Sequence, residues 1–141
     1  MIKPIQNKNA IITSPYGERI LNGNKEFHNG IDIAVKGNPN CVPVYASFAG
    51  VIGAIINDSS MNCGRAVFVK RNDADFYCLY FHLASINSDL SVNDHIAEGM
   101  FLGIMGSSGF STGQHLHYGH RKGMVSGTEC YDPKEITQLY S

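Results

Sequence analysis

A chain of 141 residues fits one domain and can bury about two-thirds of its unfolded surface, so it needs neither metal nor disulfides merely to fold. Eleven Lys and Arg against twelve Asp and Glu leave a net charge of -1, with no basic block or acidic tail, which argues against electrostatic nucleic-acid binding. Hydrophobic residues at 43% against charged residues at 16% exclude a disordered chain, and no apolar run reaches the ~20 residues of a membrane helix.

In chain order, Met1 to Lys8 lacks the apolar core of a secretory signal, so work outside a cell would need another carrier or a trimmed signal. Ile31, Ile33 and Val35 alternate as in a strand, fed by a loop through Gly30. Val42 to Ala46 and Gly50 to Ile56 read as successive strands bent at Ala49-Gly50. Ala66 to Lys70 and Phe76 to His82 flank a polar turn at Asn72 to Asp75, a hairpin signature. Ala84 to Gly99 is polar and without period, which predicts a structured loop. Phe101 to Met105 and His115 to His120 are two further short strands. Asp132 as N-cap with Pro133 at the first helical position predicts a short C-terminal helix leading to Leu139. Fifteen glycines, above the usual ~7%, supply the turns between these strands. The sum is an all-β, mostly antiparallel, sandwich-like single domain over 1–141 with at most one short helix.

Cys41, Cys63, Cys78 and Cys130 form no C-x-x-C pair, which argues against a cysteine zinc site. They read as small buried thiols, with disulfides as the other option, and do not fix the compartment.

The histidines carry more. His115 and His117, two apart on a strand, project from one face and can address one site without making equivalent contacts. His28 and Asp32 offer imidazole and carboxylate ligands suited to Zn2+, with Gly30 between them freeing the backbone to bend. His82 closes an apolar strand where core meets solvent, while His95 and His120 read as surface residues. Each signal alone fits a bland surface histidine as well. Together, two histidines and one carboxylate on a metal would leave one position open, the make-up of a catalytic rather than a structural zinc site.

From about Ile12 to Ile136 the sequence resembles the lysostaphin/LytM-type zinc metalloendopeptidases, which cut peptide cross-links of bacterial cell walls. Thr13-Ser14-Pro15-Tyr16-Gly17-Glu18-Arg19, Phe27-His28-Asn29-Gly30-Ile31-Asp32 and Tyr80-Phe81-His82-Leu83 match family segments in order. The most diagnostic stretch is Gly106 to Tyr118, ending Gln114-His115-Leu116-His117-Tyr118. The resemblance implies that His28, Asp32 and His117 bind one Zn2+ per chain. It implies that His115 and His82 stay off the metal and are catalytic, His115 as general base and His82 on the oxyanion, with those roles exchangeable. It also implies a compact β-sheet domain with a substrate groove flanked by loops, in which Tyr16, Tyr45, Tyr80 and Tyr118 are candidates for the groove or the core. Gln114 stands where the family usually has Pro, and Gly119 where an acidic residue is common.

The expected function is therefore a zinc-dependent endopeptidase acting on peptidoglycan cross-links or stem peptides, outside the cytoplasm, as a monomer with no membrane span. It would be phage-delivered, virion-associated or an excised fragment. The alternative is a non-catalytic wall-binding or activator module of the same fold. A two-histidine-one-carboxylate iron oxygenase fits less well, because the usual H-x-D spacing is absent.

Overall fold

The structure, a computed structural model, describes residues 1–109, 111 and 113–141. Phe110 and Thr112 of the diagnostic stretch lie outside the described residues. The strands are β1 (Ala10–Ser14), β2 (Gly17–Leu21), β3 (Asn24–His28), β4 (Ile31–Val35), β5 (Pro43–Tyr45) and β6 (Gly50–Ile56). They continue with β7 (Arg65–Arg71), β8 (Tyr77–Ile86), β9 (His95–Ile96), β10 (Phe101–Met105), β11 (Leu116–Arg121) and β12 (Cys130–Tyr131), before the helix α1 (Lys134–Gln138).

Ten strands form one sheet in the order β1-β4-β11-β8-β7-β6-β9, with β10 joining β5 to β8 and β12 added to β11. The fold is all-β and antiparallel, as the sequence predicts. β2 and β3 make a separate two-stranded hairpin whose far end delivers His28. Among the described residues no helix is long and apolar enough to cross a membrane.

Strand alternation sorts the side chains. Ile31, Ile33 and Val35 of β4 and Leu116 and Tyr118 of β11 face the main core, together with Tyr80, Val44, Ile52 and Leu102. Full burial of each large apolar side chain stabilises the fold by roughly 1.5–3 kcal/mol. Asp32 and His117 fall on the opposite face of the same strands. A smaller cluster of Ala66, Phe68 and Leu79, with Phe81 against it, supports that second face.

Several expectations need correction. β8 does not end at His82 but runs on to Ile86, and β9 lies inside the stretch expected to be loop. The β2–β3 hairpin escapes the sequence reading because nearly all its residues are half-buried or exposed and show no apolar alternation. The helix begins one residue later than expected, with Pro133 at the N-cap and no side-chain cap from Asp132. His120 is buried at 2% exposure rather than at the surface, because it shares the core-facing side of β11 with Tyr118. Tyr80 and Tyr118 are fully buried core residues, which removes them from any groove. All four cysteines are free, and Cys78 is the buried one.

Candidate metal centre and active site

The centre follows from strand register. His117 of β11 pairs directly with Asp32 of β4 on one side and with Phe81 of β8 on the other. Cross-strand partners hold their Cβ atoms about 5 Å apart on one face, so carboxylate and imidazole meet without a special loop. Phe81 stacks on the His117 ring at 5.5 Å between centroids, fixing its plane. His28 arrives from the hairpin, its ring edge-on to His117 at 5.0 Å.

Gly30 is required here, though not for a bend. A Cβ at Gly30 would lie 2.5 Å from the Tyr118 carbonyl oxygen and 2.8 Å from His117 Nε2. The glycine lets the β3–β4 connection lie flat against β11, and its lack of a side chain is what matters.

Three atoms converge. His28 Nε2 lies 3.2 Å from His117 Nδ1 and 3.3 Å from Asp32 Oδ1, and His117 Nδ1 lies 3.0 Å from Asp32 Oδ1. A tetrahedral zinc with bonds of 2.0–2.1 Å separates its ligand atoms by about 3.3 Å. The other His28 nitrogen, Nδ1, lies 2.9 Å from the Pro15 carbonyl oxygen, which accepts its proton and leaves Nε2 as a bare lone pair. His28, Asp32 and His117 thus form a cluster able to hold a metal ion, and its imidazole-carboxylate donor set fits zinc.

Electrostatics agree with that role. Burial alone would push the Asp32 carboxyl up, but hydrogen bonds and charge from His117 and His28 outweigh it and hold the group well below the ordinary carboxylate range. Burial pushes the His117 imidazole down despite Asp32 beside it, which favours the neutral form a metal ligand must take.

Two more histidines stand beside the cluster. His115 Nε2 is 3.5 Å from Asp32 Oδ1, while its Nδ1 donates to the Gly113 carbonyl at 2.9 Å. His82 lies 5.1 Å from His115 and 6.1 Å from His117 between ring centroids. Strict alternation would send His82 to the core face with Tyr80 and Cys78. Instead its backbone takes φ 66, and the register shifts on both flanking strands, between Arg65 and Val67 and between Ile104 and Met105. That bulge turns His82 to the metal face and restores Leu83 to the core. A positive φ in a non-glycine residue costs roughly 1–3 kcal/mol, which the surrounding packing must offset.

His82 Nδ1 donates to the Ser108 carbonyl at 2.7 Å, and the Ser108 hydroxyl donates to the Leu83 carbonyl at 2.6 Å and accepts from the Arg65 N–H at 3.0 Å. Burial lowers the His82 pKa to about 4, with the Ser108 carbonyl opposing and His115 and His117 adding to the shift. With Nδ1–H committed to a carbonyl, each of the His82 and His115 rings in its neutral form presents a bare Nε2. The carbonyls of Pro15, Ser108 and Gly113 that orient these rings leave no side-chain signal in a sequence.

Tyr16 packs edge-on against exposed Phe27 at 5.2 Å beside the hairpin, and its hydroxyl donates to the Cys130 carbonyl at 3.3 Å. Burial, with Cys130 adding, pushes that phenol up to about 12. Gln114 donates its side-chain N–H to Asn40 Oδ1 at 2.9 Å, a tie between loops that proline could not make.

A sheet and a hairpin that together bring two imidazoles and a carboxylate to one point, with two further histidines alongside, have the make-up of a metallohydrolase domain. The chain belongs to peptidase family M23, whose model matches residues 26–133. It is 34% identical over 109 residues to the DD-carboxypeptidase/endopeptidase Mpg of Neisseria meningitidis, covering 76% of this chain and 23% of that protein. It is 30% identical over 118 residues to lysostaphin of Staphylococcus staphylolyticus, covering 84% of this chain and 23% of that one. The chain thus spans about a quarter of the length of these curated relatives. The crystallised catalytic domain of the prophage-encoded M23 protein EnpA from Enterococcus faecalis superposes with a TM-score of 0.76 at 32% identity, covering 94% of this chain and 95% of that one.

Proposed function

We propose that this chain is a zinc-dependent endopeptidase that hydrolyses peptide cross-links or stem peptides of bacterial peptidoglycan, working outside the cytoplasm as one monomeric metallopeptidase domain. The observation that carries the reading is the triangle of His28 Nε2, Asp32 Oδ1 and His117 Nδ1, with edges of 3.0–3.3 Å that match the span of zinc ligands. Family membership supports the peptidase reading, and the name of a further relative, the peptidoglycan DD-endopeptidase ShyA of Vibrio cholerae, 31% identical over 91 residues, supports the substrate class.

Bound there, zinc would polarise the scissile carbonyl and acidify a water. His28, Asp32 and His117 would hold it and leave a position free. His115, its Nδ1–H committed to Gly113, offers Nε2 as the general base for the attacking water, a contribution typically of ~10²–10⁴-fold. His82 is oriented by Ser108 and donates from Nε2 only as an imidazolium. Negative charge developing on the carbonyl oxygen favours that protonated form, and loss of one such donor commonly costs ~10²–10³ in rate.

The test is to incubate purified protein with cell walls of defined cross-link chemistry and identify released fragments by mass spectrometry. New peptide termini, abolished by a chelator and restored by zinc, are expected. Wall binding without any fragment release would instead favour the non-catalytic module.

A further inference from the structure

The two oxygens of Asp32 have different surroundings. Oδ1 faces the three imidazoles, at 3.0 Å from His117, 3.3 Å from His28 and 3.5 Å from His115. Oδ2 faces the guanidinium of Arg19, with Nη1 at 3.6 Å, an ion pair rather than a close hydrogen bond. Arg19 itself is fixed. Its Nε and Nη2 both reach Oε1 of Glu26, at 2.9 and 2.8 Å, directly across the β2–β3 hairpin. Its Nη1 also donates to the Ser14 hydroxyl at 2.7 Å, and that hydroxyl lies 3.3 Å from His28 Nδ1. Ser14 in turn pairs with Asp32 across β1 and β4.

We infer that Arg19, braced by Glu26, is a positioning residue that draws Asp32 Oδ2 away from the imidazole cluster, so that the carboxylate offers a metal Oδ1 alone. A free carboxylate can grip a dication with one oxygen or two, and the second oxygen would fill a position that water or substrate needs. The guanidinium is suited to this restraint because its charge is permanent and its planar fork is held at three nitrogens. The same arginine touches both the Asp32 carboxylate and, through Ser14, the imidazole of His28. The hairpin therefore couples two of the three candidate ligands. This rests on the zinc reading above.

The test compares the wild type with the paired variant Arg19→Met/Glu26→Gln, which removes both charges at once and leaves the net charge unchanged, and with Arg19→Lys. Zinc affinity is read by competition with a chelating dye, and coordination by the visible spectrum of Co2+-loaded protein. The paired variant should bind zinc roughly 10- to 100-fold more weakly. Its Co2+ bands should weaken towards those of a higher coordination number. Arg19→Lys, which keeps the charge without the fork, should fall between the two. Should the paired variant fail to fold, Arg19→Lys against wild type decides on both readouts. Zinc affinity within about twofold of wild type, together with a superimposable Co2+ spectrum, would overturn the inference. So would a lower melting temperature with both metal readouts unchanged, since that marks a hairpin brace only. A wild type that takes up neither metal ion would overturn the zinc reading itself, a result separable from the others.

Discussion

The two faces of β11 carry two polar clusters built on opposite principles. On the core face, Ser47, Tyr80, Tyr118 and His120 form a closed chain. The Ser47 hydroxyl lies 3.0 Å from the Tyr80 hydroxyl and 2.7 Å from that of Tyr118, which lies 2.7 Å from His120 Nε2. Among the described residues no buried side-chain polar atom lacks a partner, and in this chain hydroxyl protons can rotate so that each of the three contacts has one donor and one acceptor. On the other face, His28 Nε2, His117 Nδ1 and Asp32 Oδ1 meet at 3.0–3.3 Å, and with His28 protonated at Nδ1 and both rings neutral at most one hydrogen, on His117 Nδ1, serves all three contacts. A satisfied network stabilises a core, whereas converging lone pairs call for a cation. One strand separates the two, so both burial and polarity are shared and only the missing hydrogens distinguish them.

Five variants probe that contrast, in order of expected effect. Asp32→Ala or His117→Ala should take zinc from one per chain to none and abolish wall lysis, read by elemental analysis and turbidity. Retained metal in either would break the assignment of the open cluster. His115→Ala should keep the metal yet lose ~10²–10⁴ in turnover. An active variant there would strip His115 of the role of base.

Gly30→Ala forces a Cβ against the Tyr118 carbonyl and His117 Nε2, so unfolding by denaturant should show a loss of about 1–3 kcal/mol. Metal binding should weaken in parallel. An unchanged midpoint would mean the β3–β4 connection yields freely.

The closed cluster makes the smallest prediction, in pH dependence. Burial, with Arg71 adding, holds His120 neutral in the folded protein down to about 3, whereas the unfolded imidazole takes a proton near 6.5. Stability present above about pH 6.5 is therefore lost as the pH falls towards 3. The metal-free melting temperature should drop across that window, and His120→Gln should flatten the drop. A remainder should persist, because His82 is held down to about 4 and Asp32 loses its contribution below its ordinary carboxylate range. An identical acid slope in the variant would show that His120 titrates normally.

Much of the candidate site was legible in the sequence. His115 and His117 share a face because strand alternation has period two, and Ile31, Ile33 and Val35 place Asp32 on the side away from the core by the same rule. His28-Asn29-Gly30-Ile31-Asp32 named two further candidate ligands, although the use of Gly30 as a point of close approach could not be read from local geometry. His82 stood out as the histidine closing an apolar strand, but its catalytic candidacy came through resemblance, since alternation alone points it into the core. His120 was misjudged for the converse reason, because a lone histidine near a strand end carries no sign of the Tyr118 and Ser47 partners that let it be buried. Arg19 and Ser108 fall in segments that resemble the family but gave no sign of a role, because they reach Asp32 and His82 across 13 and 26 residues of sequence.

The amino-acid order by itself determined the antiparallel β class, the alternation that separates core from polar face, and the residue types able to hold a metal. These depend on local periodicity and side-chain chemistry, which a linear string contains. The tertiary structure decided that β4 and β11 lie side by side with Asp32 opposite His117, that a bulge turns His82 around, and that Arg19 faces the outer carboxylate oxygen. Those are matters of strand order, register and approach between distant segments, set by how the whole sheet packs.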